Sequence, residues 1–241
     1  MSIRISRSWL SALLLVLTAV AKAAPIPGLI LPLYDVEAGT AATGIVSEVL
    51  VKEGDTVQQG QPLVRLNDEV EKLELERSAK ILEKARFDHE AAEKLLADKI
   101  GTREDALKKR IEHDLAVLQQ KAAQLRLDQR TIRSPIQGIV VKRDKEPGEA
   151  VLLHETVAQI VHIRQVNAQF FLEPAQAQML QPGQMMRFSV PLMGKPGQIV
   201  GKLDFIDPRM DAESGLYRIK LLVDNVKLHL KAGMRVEIEL P

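Results

Sequence analysis

The residue types able to do chemistry are sparse in this chain, and three groupings hold most of them. The stretch FIDPRMDAESG sets Asp207, Asp211 and Glu213 close together, the raw material for a general acid beside a general base. Such work needs one carboxyl kept protonated by its surroundings, and a polar connection between strands is the plainer reading of so hydrophilic a loop. Met179, Met185, Met186 and Met193 fall within fifteen residues, and thioethers are soft enough to hold Cu(I) or Ag(I). Met185 and Met186 are adjacent in a strand pattern and so point to opposite faces, which favours core filling. His89 and His113 each lack a second His or Cys at the i, i+3 or i+4 spacing of a helical metal site, and His89 reads as a polar residue in a coiled-coil seam.

Nothing else in the chain assembles a reaction centre. There is no cysteine, no G-x-S-x-G elbow, no phosphate-cradling glycine loop and no H-E-x-x-H helix. The reading is of a protein that is not an enzyme, with no catalytic, cofactor-binding or metal residues to assign and no cofactor. Aromatics make up 3% of the residues, and 33 basic side chains face 32 acidic ones. Neither a base-stacking platform nor an electrostatic footprint for nucleic acid follows from that.

The elements that would position any site carry more information. The segment GIVSEVLVKEGDTVQQGQPLVRL (44–66) returns at an offset of 94 as GIVVKRDKEPGEAVLLHETVAQI (138–160). Gly44 meets Gly138, Val46 meets Val140, Gly54 meets Gly148, Val57 meets Val151 and Leu66 meets Ile160 without a gap. In each copy β-branched runs flank a turn, KEGD or EPGE, whose glycine suits a positive φ. One copy is too small to bury its own apolar face, so two are expected to fold against each other.

Between the copies the character changes. Residues 68–130 hold one glycine, Gly101, and no proline. Leu75, Ser78, Leu82, Ala85, His89, Ala92 and Leu96 follow the 3–4 spacing of a helical seam, and Leu107, Ile111, Leu115, Leu118, Ala122 and Leu125 nearly do. Asp68, Glu69 and Glu71 suit a helix start. Gly101 suits a left-handed stop, and Thr102 with Asp105 a new N-terminus. Two antiparallel arms of about 28–30 residues, roughly 42–45 Å long, are predicted. After the second copy, VNAQFFL, LYRIKLLVD and MRVEIEL alternate with period two between the turn signals QPGQ, GKPGQ, ESG and KAGM, which predicts a small antiparallel barrel.

The N-terminus differs from all of this. Arg4 and Arg7 precede an apolar run, Trp9 to Ala21, and an Ala21-Lys22-Ala23 cleavage pattern. Residues 1–23 are therefore expected to be a secretory signal, since 13 apolar residues fall short of the roughly 20 that span a bilayer. Removal of Arg4, Arg7 and Lys22 leaves 30 basic against 32 acidic residues. Without cysteine the exported chain has no disulfide and no acylation site at the junction.

This order of parts resembles the periplasmic adaptor, or membrane fusion, proteins of the HlyD-like and RND-type efflux systems, over about Ala41 to Pro241. The likeness rests on the half-motif Gly44-Ile45-Val46…Gly54-Asp55-x-Val57-x-x-Gly60-Gln61-Pro62-Leu63, on SPIQGIV (134–140), and on GKLDFIDPRMDAESGLYRIKLLVDN with LKAGMRVEIEL. It implies a mostly β fold with an α-helical hairpin. A lipoyl/biotinyl-like β-sandwich (halves 41–67 and 131–163) is split by an antiparallel coiled-coil hairpin (68–130) and followed by a small antiparallel β-barrel (164–241). The repeat glycines Gly44, Gly54, Gly138 and Gly148 would be structural.

The resemblance further implies a periplasmic adaptor in a Gram-negative envelope. It would join an inner-membrane transporter, RND rather than ABC, to an outer-membrane channel and form a homo-oligomeric ring for export of small molecules or ions. The hairpin tip, Leu95, Lys99, Ile100, Gly101, Thr102 and Arg103, would contact the channel. Family tips carry an Arg, Leu and Ser set, whereas here Glu90 and Lys94 stand at two of those places, or Leu95 and Thr102 after a one-residue shift. Members of the transporter-coupled branch also carry a membrane-proximal domain after the barrel; this sequence runs to Pro241, with about fifteen residues ahead of the sandwich. Two other classes keep a place: a periplasmic metal- or ligand-binding module built on the Met-rich barrel, and a lipoyl/biotinyl-type carrier. A carrier needs a modifiable Lys, usually in Met-Lys-Met, at the junction that the helices occupy here.

Overall fold

The structure, a computed structural model, describes residues 25–240, without the side chains of 193 and 195–198. The expected signal segment, 1–23, lies outside the described residues. In chain order the elements are β1 (Ile26–Gly39), β2 (Gly44–Val49), β3 (Thr56–Val57), β4 (Pro62–Leu66), α1 (Glu69–Ala97), α2 (Arg103–Asp128), β5 (Thr131–Arg133), β6 (Gly138–Arg143), β7 (Ala150–Val151), β8 (Thr156–Leu172), α3 (Pro174–Ala177), β9 (Met185–Val190), β10 (Lys195–Met210), β11 (Tyr217–Asp224) and β12 (Arg235–Ile238).

The two copies of the repeat build two facing sheets. One runs β5-β4-β2-β7; the other runs β1-β8-β6-β3, using the C-terminal half of β1 and the N-terminal half of β8. Adding 94 to one register returns the other: Val46 pairs with Leu66 and Val140 with Ile160. Likewise Gly44 pairs with Val151 and Gly138 with Val57. Between the sheets lie Val46, Val57, Leu63, Leu66, Val140, Val151, Val157 and Ile160, all buried and all repeat positions. Neither half could exclude water from this layer alone.

The barrel closes through the order β1-β12-β9-β10-β11-β8 and the pairing of β8 back to β1. Its buried core is mostly aliphatic, with Met186 and two aromatic rings, Phe170 and Phe188, which meet edge to face at 6.0 Å. Gly28 must be glycine there, because a Cβ would stand 2.4 Å from the Phe170 ring.

Strand β1 was not legible from the sequence. Its two prolines and lack of alternation argue against a central strand, yet it runs for fourteen residues and pairs with β8 from Gly28↔Phe170 to Gly39↔Thr156. The register shifts between Pro32 and Tyr34, where a bulge accommodates the second proline. Because β1 and β8 each run through both the barrel and the sandwich, the two units are joined by paired backbone. Asn225 reinforces the joint. Its buried amide donates to the carbonyls of Ile163 and Leu230, both at 2.8 Å, and its oxygen accepts from the Leu230 amide at 3.0 Å.

Candidate docking hairpin

The helices leave the sandwich between β4 and β5 and are tied down at their base. Arg130 Nη2 donates to Glu71 Oε1 at 2.5 Å, and Nη1 donates to the Thr43 carbonyl at 2.6 Å. This largely buried pair links the start of α1, the end of α2 and the sandwich loop, so one guanidinium sets the angle at which the arms depart. With 29 and 26 residues the arms reach about 44 and 39 Å at 1.5 Å per residue.

The seam on α1 is the expected one, with Ser78 and Ala92 buried. On α2 it is not. The buried residues are Ala106, Ala116 and Ala123, on the 3–4 repeat that also carries Lys109, His113, Gln120 and Leu127. Leu107, Ile111, Leu115, Leu118 and Leu125, expected in the seam, are each 51–63% exposed, and Ala122 is exposed with them. Small residues at these positions let the two backbones approach closely, and the five bulkier side chains lie outside that contact. The signal was present: the alanine line keeps an unbroken heptad, whereas Leu107, Ile111 and Leu115 step by four twice and drift around the helix. The hairpin thus closes its own seam and still presents a bulky apolar line along α2, with Leu73 and Phe87 similarly exposed on α1.

The tip departs from expectation in one detail. The left-handed residue ending α1 is Lys99 (φ 60°), not Gly101. The Ile100 amide donates to the Leu95 carbonyl and the Lys99 amide to Leu96, at 2.9 and 3.0 Å, the paired bonds of a Schellman stop. Gly101 has no positive φ, and a Cβ there would fit tightly, 3.2 Å from Leu95 Cβ. Thr102 Oγ1 accepts from the Asp105 amide at 3.1 Å and caps α2. Leu95, Lys99, Ile100, Thr102 and Arg103 are all exposed, Ile100 to 77%. An apolar side chain is therefore offered to solvent between Lys99 and Arg103 at the far end of the rod.

The other groupings resolve into structure. Asp207 is buried on β10, with Arg218 Nη2 donating to Oδ2 at 2.6 Å and the Arg209 side chain to Oδ1 at 3.3 Å. The Arg209 side chain, then its amide, and then Arg218 hold this carboxyl below the ordinary range against the opposing effect of burial. Asp211 is lowered by hydrogen bonds from the Ser214 amide and hydroxyl, both 2.8 Å. Both carboxylates are thus kept ionised, the reverse of what a general acid needs. Met186 is buried while Met179 and Met185 are exposed; with Leu180, Ile238 and Leu240 they line a recess of about 320 Å³ at the barrel end. The side chain of Met193 lies outside the described residues. Among the described residues no helix is long and apolar enough to cross a membrane.

Comparison with known proteins agrees with this architecture. Residues 38–163 match the family model of the YknX barrel-sandwich hybrid domain, and residues 166–241 that of the CusB-like β-barrel domain. A chimera of MacA carrying the α-hairpin domain of Pseudomonas aeruginosa MexA superposes with a TM-score of 0.79 at 19% identity, covering 90% of this chain and 79% of that one. A membrane fusion protein of Streptococcus pneumoniae gives 0.72 at 21% identity over 89% of this chain and all of that one. MacA from Actinobacillus actinomycetemcomitans gives 0.63 at 19%, over 91% and 79%. In sequence the chain is 24% identical over 218 residues to an uncharacterized protein of Haemophilus influenzae. That match covers 89% of this chain and 56% of the relative, so the chain spans little more than half the relative's length.

Proposed function

The chain belongs to the membrane fusion, or periplasmic adaptor, protein family, and from that premise we propose that it bridges an inner-membrane transporter and an outer-membrane channel in a tripartite export system of a Gram-negative envelope. It is not an enzyme; its contribution is geometric. Energy for export of small molecules or ions comes from the transporter. The match of the barrel to a CusB-like, RND-type description supports an RND rather than an ABC partner.

The observation that carries this reading is the outward apolar line of α2 on a hairpin whose own seam is already closed. Each exposed leucine gains about 1.5–3 kcal/mol when fully buried, and the line has a helical period, so its complement is another helix. Copies of this chain side by side in a ring, α2 of one against the outer face of α1 of the next, provide that helix. The tip residues Leu95, Lys99, Ile100, Gly101, Thr102 and Arg103 then stand together at the open end and meet the channel. Gly44, Gly54, Gly138 and Gly148 serve the scaffold that holds the rods in register.

The sequence holds no native cysteine, so a Thr102→Cys variant with a thiol-linked photo-crosslinker reports on the tip alone. In cells it is expected to capture an outer-membrane channel. Capture only of cytoplasmic proteins, or of no envelope protein, overturns the reading.

A further inference from the structure

His89 and His113 are separated by two dozen residues and lie on different helices, yet they face each other across the hairpin. Their ring centroids are 5.5 Å apart, with 26° between the planes. Both stand on the seam lines, His89 three residues before buried Ala92 and His113 three before buried Ala116. The alanines bring the backbones close and leave the two imidazoles as the bulky contents of their layer.

Each ring has a nitrogen whose bonding is unspent. His89 Nδ1 is buried and has no hydrogen-bond partner. His113 Nδ1 lies 3.3 Å from Asp114 Oδ1; a proton held there toward the carboxylate leaves Nε2 with its lone pair free. A carboxylate behind a histidine in this way fixes the tautomer that binds a metal. The rings are stacked, so a shared ion requires each to turn about χ2 until an in-plane lone pair points at it, and the separation of the centroids permits this. With metal–nitrogen bonds of about 2.0–2.1 Å, two imidazoles on one tetrahedral ion have centroids roughly 5–5.5 Å apart. The charges around the pair are mixed and balanced, with Arg110 reaching Asp114 at 4.0 Å, Lys108 in the field of Glu112 and Asp105 in that of Lys109. Asp114 touches His113, Glu112 pairs with Lys109 at 2.9 Å, Asp88 lies in the field of Lys109, and Lys84 in that of Glu112. The His113 side chain is 25% exposed, so an ion can reach it from solvent.

We propose that His89 and His113 form a two-imidazole site for a divalent transition ion of borderline softness, Cu²⁺, Ni²⁺ or Zn²⁺, which clasps the two arms of the hairpin to each other. Water completes the coordination, and the order of affinity is that of imidazole sites generally, Cu²⁺ first. Bound ion ties α1 to α2 in the half of the rod nearer the tip and stiffens it; removal of the ion leaves two facing imidazoles in the seam.

The test uses the untagged mature chain at pH 7.5, titrated with Cu²⁺, Ni²⁺ and Zn²⁺ by calorimetry and followed by thermal melting. One ion per chain with a raised Tm is expected. His89→Gln and His113→Gln are each expected to lower affinity at least tenfold and abolish the Tm shift while keeping the helical circular dichroism. His154→Gln, which alters a histidine of the sandwich, is expected to change neither. Cu²⁺ electron paramagnetic resonance gives a separate readout, two nitrogen ligands in the wild type and one in either seam variant. No saturable binding below about 1 mM, or binding unchanged in both seam variants, overturns the proposal.

Discussion

The amide of Gly54 donates a 2.8 Å hydrogen bond to the carbonyl of Val140, and 94 residues later the amide of Gly148 donates one of the same length to Val46. The reciprocity extends through the unit. The Val140 amide donates to the Asp55 carbonyl as the Val46 amide does to the Glu149 carbonyl, and the Gly60 amide donates to Ser134 as the His154 amide does to Thr40. The turn glycines share φ +92°, and the side-chain bonds Asp55 to Lys52 and Glu149 to Glu146 are equivalent as well. Each half of the sandwich supplies the partners the other lacks, which is why a chain interrupted by a long helical excursion still closes a single core.

The equivalence makes a quantitative prediction. At Gly54 and Gly148 an added Cβ meets nothing within 4 Å, so the cost of alanine is backbone strain alone, about 1–2 kcal/mol. Gly54→Ala and Gly148→Ala are expected to lower stability equally, within about 0.5 kcal/mol, in urea denaturation. Unequal losses beyond that mean the two turns are not energetically equivalent.

The α2 line separates folding from assembly. Leu115→Gln with Leu118→Gln alters exposed positions of similar helix propensity, so helicity and Tm are expected to hold. Self-association measured by sedimentation should weaken at least tenfold. A double variant that assembles like the wild type removes this face from the ring.

Crowding the seam should do the opposite. Ala116 is buried in the seam, and Ala116→Leu forces the helices apart. About 1–3 kcal/mol of destabilisation is expected, confined in hydrogen exchange to residues of α1 and α2, while the sheets keep their protection.

Asp207 sets an acid limit on the barrel. Its folded carboxyl titrates below the ordinary range, chiefly through Arg209. The stabilisation it provides is therefore complete above the unfolded value near 3.9 and is lost as pH falls through the folded one. Wild type is expected to exceed Asp207→Asn in Tm at pH 7, with the gap closing below about pH 4. A gap unchanged at pH 3 would show that the ionised carboxylate is not its source.

The Asn225 clasp joins the β11–β12 connection to the midpoint of β8. Asn225→Ala strands the Leu230 amide and two carbonyls, with an expected loss of about 2–4 kcal/mol. A loss under 0.5 kcal/mol, read by urea midpoint, would mean that water replaces the side chain without penalty.

What the amino-acid order settled by itself was local. Glycine at a positive φ, period two in the short strands, 3–4 spacing in α1 and the Thr102 cap all rest on interactions within a few residues, and these patterns were sufficient for the class of fold. The duplication was legible because identical environments demanded similar residues 94 positions apart. Tertiary structure alone decided the remainder. β1 becomes a strand only because β12 and β8 supply partners for its backbone, and no short-range pattern encodes partners over a hundred residues away. The α2 seam is decided by the packing of α2 against α1, which buries Ala106, Ala116 and Ala123 rather than the leucines that hydrophobicity would have placed there. The apposition of His89 with His113 depends on the register of two antiparallel arms, and that register is fixed by the Lys99 stop and the Arg130 clasp rather than by anything near either histidine.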